Sequence, residues 1–398
     1  MSTDDVQLVG GPPARRAWKR PVAALTTLTL VASMGLAAIA TSSGAAARHT
    51  ELKRAPASSS FLACEVTDTG GINDRSFNAS AYQGLLLAAK EDSAIQPKYL
   101  SSTSESDYVP NINTFIGEKC GIIVTVGFLM GNATADAALA HPTQDFTIVD
   151  YSQQDLESTW KTPKPLPNAL GLVYQTNQDA FLGGYLAAAM SKTGAVGEFG
   201  GDNIPTVTIY MDGWVAGVRY YDKLNNAHVK VLGWTPTPGR PKGSLAGSGL
   251  FTNSFTNVAL GNTYTRTLIG EGADIIFSVA GGVGVGAAQA VKAAGPGHYM
   301  EWVDTDGCVS DPTYCSLFIT SVTKGIVASV SAAVLEAAHG MFHGGNYSGT
   351  LANNGVSLAP FHDFNNVVPA SVKAELAKIK AGIVAGTISV DPNSYPAM

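Results

Sequence analysis

FLACEVTDTGGINDRSFNASAYQGLLLAAKE, residues 61–91, holds one complete strand, loop and helix. Residues 61–66 form a β-rich run that stops at Asp68-Thr69-Gly70-Gly71, where Gly tolerates the backbone angles of a tight turn. From residue 76 to 91, Phe77, Ala81, Leu85 and Ala88 recur at helical spacing. The unit repeats outward. Strands are expected at 121–126, 146–149, 206–210, 229–234, 275–279 and 299–303, with helices around 133–140, 180–190, from Trp214, and at 285–294. Strands alternating with helices predict an α/β fold with parallel sheets covered on both faces. So many strands exceed one comfortable sheet, which predicts two doubly wound lobes. No repeat of 20 to 50 residues points to a solenoid.

Composition narrows the function. Of 398 residues, 14% are charged against a usual level of about 25%, and 45% are hydrophobic. Neither disorder nor a nucleic-acid surface fits such a chain, and 25 basic against 31 acidic residues offer nothing to a polyanion. Residues 1–47 differ from the rest. Arg15, Arg16, Lys19 and Arg20 precede an uncharged stretch at 21–40, and Ala45-Ala46-Ala47 supplies small residues for cleavage, which predicts an export signal. The same stretch is long enough to span a membrane uncleaved. Residues 48–60, with Pro56 and a run of Ser, read as a flexible linker. All four cysteines then lie in the exported part, where disulfides persist. Cys308 and Cys315 flank Asp311-Pro312, and Cys64 can reach Cys120 if their strands are neighbours. No Cys pair has zinc-finger spacing, so no metal is expected.

In parallel sheets, ligands bind beyond the carboxyl ends of the strands. The loops there carry Asp68, Asp74 and Asn78, then Gly127 and Asn132, Asp212-Gly213-Trp214, Gly282 and Asp304. Asp and Asn can take paired hydroxyls, aromatics can stack on a flat ring, and Gly lets backbone approach a ligand.

VTDTGGINDRSFN at 66–78, followed by Ala81-Tyr82-Gln83-Gly84, resembles the opening signature of the basic membrane protein family of exported ABC-transporter substrate-binding proteins, which includes the purine nucleoside receptor A type. VTVGFLM (124–130), QDAFLGGYLAA (178–188), DGWVAGVRYY (212–221), GADIIFSVAGG (272–282), VDTDG (303–307) and TSVTKG (320–325) continue the resemblance in order. It implies a type I periplasmic-binding-protein fold, two lobes joined by hinge strands, with lobe 1 at 61–172 plus a returning helix near 323–342. Lobe 2 would be 173–322, completed by part of 343–398. Carried over residue by residue, the resemblance puts Asp68, Phe77 and Asn78 in the cleft, with Phe77 stacking on a base and Trp214 opposing it. Gly282 would lie against the ligand, Asp304 would bind ribose hydroxyls, and Lys324 would reach in from the last large helix. The cysteine-bounded insertion after Gly307 departs from the family pattern and bears on one cleft wall.

Each site residue also has a plainer reading. Asp68 can be a turn residue, Phe77 a core aromatic, Trp214 a packed position four residues before Val218, Asn132 a helix N-cap and Lys324 a solvated charge. The expectation is an exported, non-enzymatic solute-binding protein that needs no cofactor. It would close on a nucleoside and deliver it to an ABC permease with its ATPase. The same fold would also suit a sugar or other small solute. Gly282-Val283-Gly284-Val285-Gly286, with Asp304 twenty residues beyond Gly284, invites a nicotinamide-dependent oxidoreductase, but the spacing is not that of a dinucleotide fingerprint. Ala246-Gly247-Ser248-Gly249 is no serine-hydrolase elbow.

Overall fold

Strand β3 (Ile122–Val126, IIVTV) and strand β10 (Ile275–Val279, IIFSV) are buried along their whole length. Such runs belong at the centre of parallel sheets packed on both faces. The computed structural model describes residues 60–153, 165–239 and 247–395. The expected export signal, and the expected linker up to residue 59, lie outside them.

The first sheet has the order β2 (Ile95–Leu100), β1 (Phe61–Val66), β3, β4 (Asp145–Val149), β5 (Ala169–Tyr174) and β13 (Gly345–Gly349), all parallel. The second repeats that order as β7 (Lys230–Leu232), β6 (Ala195–Gly200), β10, β11 (Tyr299–Asp304), β12 (Phe318–Lys324) and β14 (Val356–Leu358). Only β14 runs antiparallel to its neighbour. β8 (Trp234–Pro236) and β9 (Gly247–Gly249) form a small separate ribbon. Two doubly wound sheets with one strand order are what the alternating sequence predicts.

Nine helices of eight or more residues are described. In chain order they are α1 (Phe77–Glu91), α2 (Tyr108–Gly117), α3 (Gly131–Ala140), α4 (Thr176–Met190), α5 (Pro205–Asn225), α6 (Val258–Gly270), α7 (Gly284–Ala294), α8 (Ile326–Ala338) and α9 (Ala370–Val384). After β12 the chain returns to the first sheet, where α8 packs on α1 and against β3, β4 and β5. β13 then joins the first sheet and β14 the second, so three connections cross between them, near Gln175, Gly325 and residues 350–355. They are tied together: Gln175 N–H donates to Gly349 O and Gly325 N–H to Gly355 O, each at 2.8 Å.

One expected strand is a helix. Residues 206–210 (TVTIY) are β-rich, yet they lie in the first turns of α5, started by Pro205 at the position where a missing N–H costs nothing. The strand is instead β6, AVGEFG, whose Glu198 is fully buried and disguises it as polar. α5 stays helical because it crosses α4 at backbone contact: a Cβ on Gly184 would lie 1.9 Å from Trp214 O. Tertiary packing overrides strand propensity here.

Both cysteine pairs are bonded. Cys64–Cys120 joins β1 to the turn before its neighbour β3, and Cys308–Cys315 closes the loop after β11.

Candidate ligand-binding cleft

The carboxyl ends of β1 and β6, β3 and β10, and β4 and β11 face one cleft of about 510 Å³, mouth included.

Its first wall is the loop between β1 and α1. Asp74 accepts hydrogen bonds from the backbone N–H of Ser76 (3.0 Å), Asn78 (2.7 Å) and Ala79 (3.1 Å), so it satisfies the open donors at the start of α1. Asn78 Nδ2 donates to Asp68 Oδ1 at 2.8 Å and to Asp74 Oδ2 at 3.0 Å, and Gly70 N–H also donates to Asp68 Oδ1, at 2.8 Å. Burial pushes the Asp68 carboxyl up to about 7, against the pull of the Asn78 and Gly70 hydrogen bonds. Burial raises Asp74 as well, opposed by its ring of N–H donors.

The floor joins both lobes. Asp150 follows β4 and Asp304 ends the equivalent strand β11, and each stands in the left-handed region with φ of 66°. Lys324, at the end of β12, places Nζ 2.5 Å from Asp150 Oδ2 and 3.4 Å from Asp304 Oδ1. Burial works against its ammonium, but the two carboxylates outweigh that and hold it above the ordinary lysine value. Tyr210 O–H donates to Asp304 Oδ1 at 3.1 Å. The Ser76 hydroxyl, from the other lobe, lies 3.0 Å from Asp304 Oδ2 and 2.9 Å from Val303 O. Aromatic rings stand on both sides: Phe77 and Phe128 on the first lobe, Tyr210 and Phe255 on the second. Lys324 Nζ sits 4.8 Å from the centre of the Phe77 ring and 5.1 Å from that of Tyr210, within cation–π range.

Asp68, Asp74, Phe77, Asn78, Gly127, Asp304 and Lys324 line this cleft. Trp214 does not. It is fully buried, stacks on Phe277 at 5.8 Å and donates from Nε1 to Glu301 Oε2 at 2.8 Å. Because α5 begins at Pro205, Trp214 lies more than two turns below the strand ends, and Tyr210, one turn earlier, takes the place at the cleft. Gly282 gives way to Gly281 on the wall and sits instead between Asp74 and Phe255. Asn132 is exposed on α3, because Phe128–Met130 first make a 3-10 turn that carries the helix start away from the cleft.

Asp150, Phe128, Tyr210 and Phe255 escaped the sequence reading. Asp150 carried a usable signal: it ends a strand in the VDY of 149–151 much as Asp304 does in VDT of 303–305. Phe255 carried none, since it comes from an irregular segment. Asp306, Cys308 and His362 gather within 4.8 Å, but the Cys308 sulfur is bonded to Cys315 and is no thiolate.

The sequence profile of the Bmp family, described as ABC transporter substrate-binding protein PnrA-like, matches residues 61–238 and 250–394. The chain is similar to the ABC transporter nucleoside-binding protein BmpA of Lactococcus lactis subsp. cremoris, at 27% identity over 90% of this chain and 97% of that one. Among solved structures it resembles an ABC transporter system solute-binding protein from Aeropyrum pernix K1, with a TM-score of 0.71 at 22% identity, covering 83% of this chain and 92% of that one. It also resembles a periplasmic solute-binding protein from Actinobacillus succinogenes 130z with bound D-allose, with a TM-score of 0.54 at 13% identity, covering 77% and 99%. These two likenesses show the type I solute-binding fold.

Proposed function

We propose that this chain, which belongs to the Bmp family of PnrA-like ABC transporter substrate-binding proteins, captures a purine nucleoside outside the cytoplasm and delivers it to a permease driven by an ATPase. The observation that carries this reading is the cleft's make-up. Flat rings stand on both lobes, Phe77 and Phe128 against Tyr210 and Phe255, and carboxylates stand beside them at Asp68 and Asp304. A base is a flat apolar face, and a ribose is a pair of neighbouring hydroxyls that donate well to a carboxylate. The name of the Lactococcus relative supports the same ligand class. The two disulfides suit an oxidising compartment.

Function follows from closure. A ligand that touches both walls is held fully only when the lobes meet, so its binding energy shifts the population to the closed form that a permease recognises. A sugar or another small solute is the second reading, favoured by the D-allose bound to one structural relative and by the carboxylates, which serve any diol.

A thermal-shift titration with inosine, guanosine, adenosine, free bases, ribose and D-allose separates the two. A ligand at 100 times its Kd adds about 2.7 kcal/mol, enough to move the melting curve by several degrees. A shift with nucleosides and none with ribose or allose is expected; a shift with allose alone would replace the nucleoside by a sugar. Asp304→Ala should then weaken nucleosides far more than free bases, and equal losses for both would remove Asp304 from the ribose.

A further inference from the structure

Among the described residues, one ion pair joins the two lobes without lining the cleft. Arg75 Nη1, in the loop before α1, lies 2.7 Å from Asp311 Oδ1, in the loop after β11. The two ends differ sharply: the Arg75 side chain is 50% exposed and that of Asp311 is 0% exposed. Among the described residues the Asp311 carboxylate accepts no hydrogen bond, so the guanidinium is the charge that compensates it. A buried carboxylate without such a partner is costly.

Both halves of the contact are held in place. Asp311 stands between Cys308 and Cys315, whose disulfide closes the loop. Its N–H donates to Gly307 O at 2.8 Å, its carbonyl accepts from Tyr314 N–H at 3.1 Å, and Asp306 Oδ1 accepts from Cys308 N–H at 3.0 Å. On the other lobe, the residues flanking Arg75 also reach across. The Ser76 hydroxyl meets Val303 O and Asp304, and Asp74 backs onto Gly282, where an added Cβ would lie 3.6 Å from Asp74 Cα.

We propose that Arg75 and Asp311 form a clasp that biases the lobes toward closure before any ligand arrives, with the disulfide-closed loop as its fixed half. The departure from the family pattern after Gly307 thereby acquires a role: it tunes how much closed form the free protein holds, and so the apparent affinity for whatever the cleft takes. The inference rests on lobe closure and not on the ligand being a nucleoside.

Small-angle scattering from the ligand-free protein tests it, since the radius of gyration reports the balance of open and closed forms with no ligand present. Arg75→Ala leaves a bare carboxylate in the closed form and should raise the open-to-closed ratio about tenfold, within the usual range of such couplings. Arg75→Ala with Asp311→Asn removes the stranded charge and should return only part of the way, remaining more open than the wild type because the attraction is lost as well. Asp311→Asn alone keeps the side-chain shape and should open the protein less than Arg75→Ala. Because Arg75 is half exposed, 1 M salt should open the wild type and leave Arg75→Ala unchanged. Identical curves for wild type and Arg75→Ala would overturn the clasp, and so would a double variant as closed as the wild type, which would show that the pair gives no net bias. A protein that fails every nucleoside yet shows this pattern would keep the clasp and lose only the ligand.

Discussion

The two acidic groups of the cleft are built in opposite ways. Asp68, Asp74 and Asn78 come from one loop and the first turn of one helix, and they satisfy one another and the local backbone. Tyr210, Asp304 and Lys324 come from three distant points of the second lobe and Asp150 from the end of β4 in the first sheet, and Asp150 joins the others only because the lobes meet. The first group is a preformed wall. The second is a junction in the assembled cleft, where one ammonium stands between two carboxylates and leaves a net charge of minus one. Changes in the junction should therefore be felt across the molecule, and changes in the wall should stay local.

The largest effect is expected at Lys324. Its side chain is 4% exposed, so Lys324→Met leaves Asp150 and Asp304 facing each other without a cation. Breaking a buried pair from one side costs about 3–5 kcal/mol, because the remaining charge stays buried. Urea denaturation at pH 7 should show a loss of that order, and adding Asp150→Asn should recover part of it. A loss below about 1 kcal/mol, on the scale of an exposed ion pair, would mean that the junction is hydrated in solution, and the contrast with the wall would fall.

Asp74→Ala probes the wall. It removes the acceptor for three N–H groups at the start of α1. The loss of one helix cap is worth about 1–2 kcal/mol. Hydrogen exchange should quicken at residues 76–79 and remain as in the wild type along α5 and β11. Faster exchange in both lobes would show that the wall, too, is part of the junction.

The same contrast explains what could be read from the chain. α1, β1 and β10 announce themselves because pattern and neighbourhood agree: apolar spacing, a Gly-rich turn, a mostly apolar strand. The first acidic group is legible for the same reason, since its members lie close together in sequence. β6 is hidden by buried Glu198, and the start of α5 is hidden by β-branched residues that packing against α4 holds in a helix. That single shift moved the expected aromatic from Tyr210 to Trp214. Asp150 carried a local likeness, VDY at 149–151 against VDT at 303–305, but its weight became plain only once the second sheet was seen to repeat the order of the first.

The effect that is smallest in each measured step is a pH slope that separates the two groups. The Asp68 carboxyl, ordinarily at 3.8, stands at about 7 in the fold because of its burial. Between those values the folded protein binds the proton more tightly than the unfolded chain, so this group's contribution is complete below 3.8 and is lost as pH rises through about 7. Lys324 behaves otherwise. Its value is raised above 10.5, so its contribution is complete below 10.5 and is lost only at more alkaline pH. From pH 4 to 8, the wild type should therefore lose stability relative to Asp68→Asn, by at most about 1.4 kcal/mol per pH unit. The variant keeps an oxygen for Asn78 Nδ2 and Gly70 N–H, so its hydrogen bonds survive and only the titration is removed. Melting temperatures at half-unit intervals should give two converging lines at low pH, with the variant higher at pH 8. Parallel lines would place the Asp68 charge in contact with water, and the wall would then be as open to solvent as the junction is closed to it.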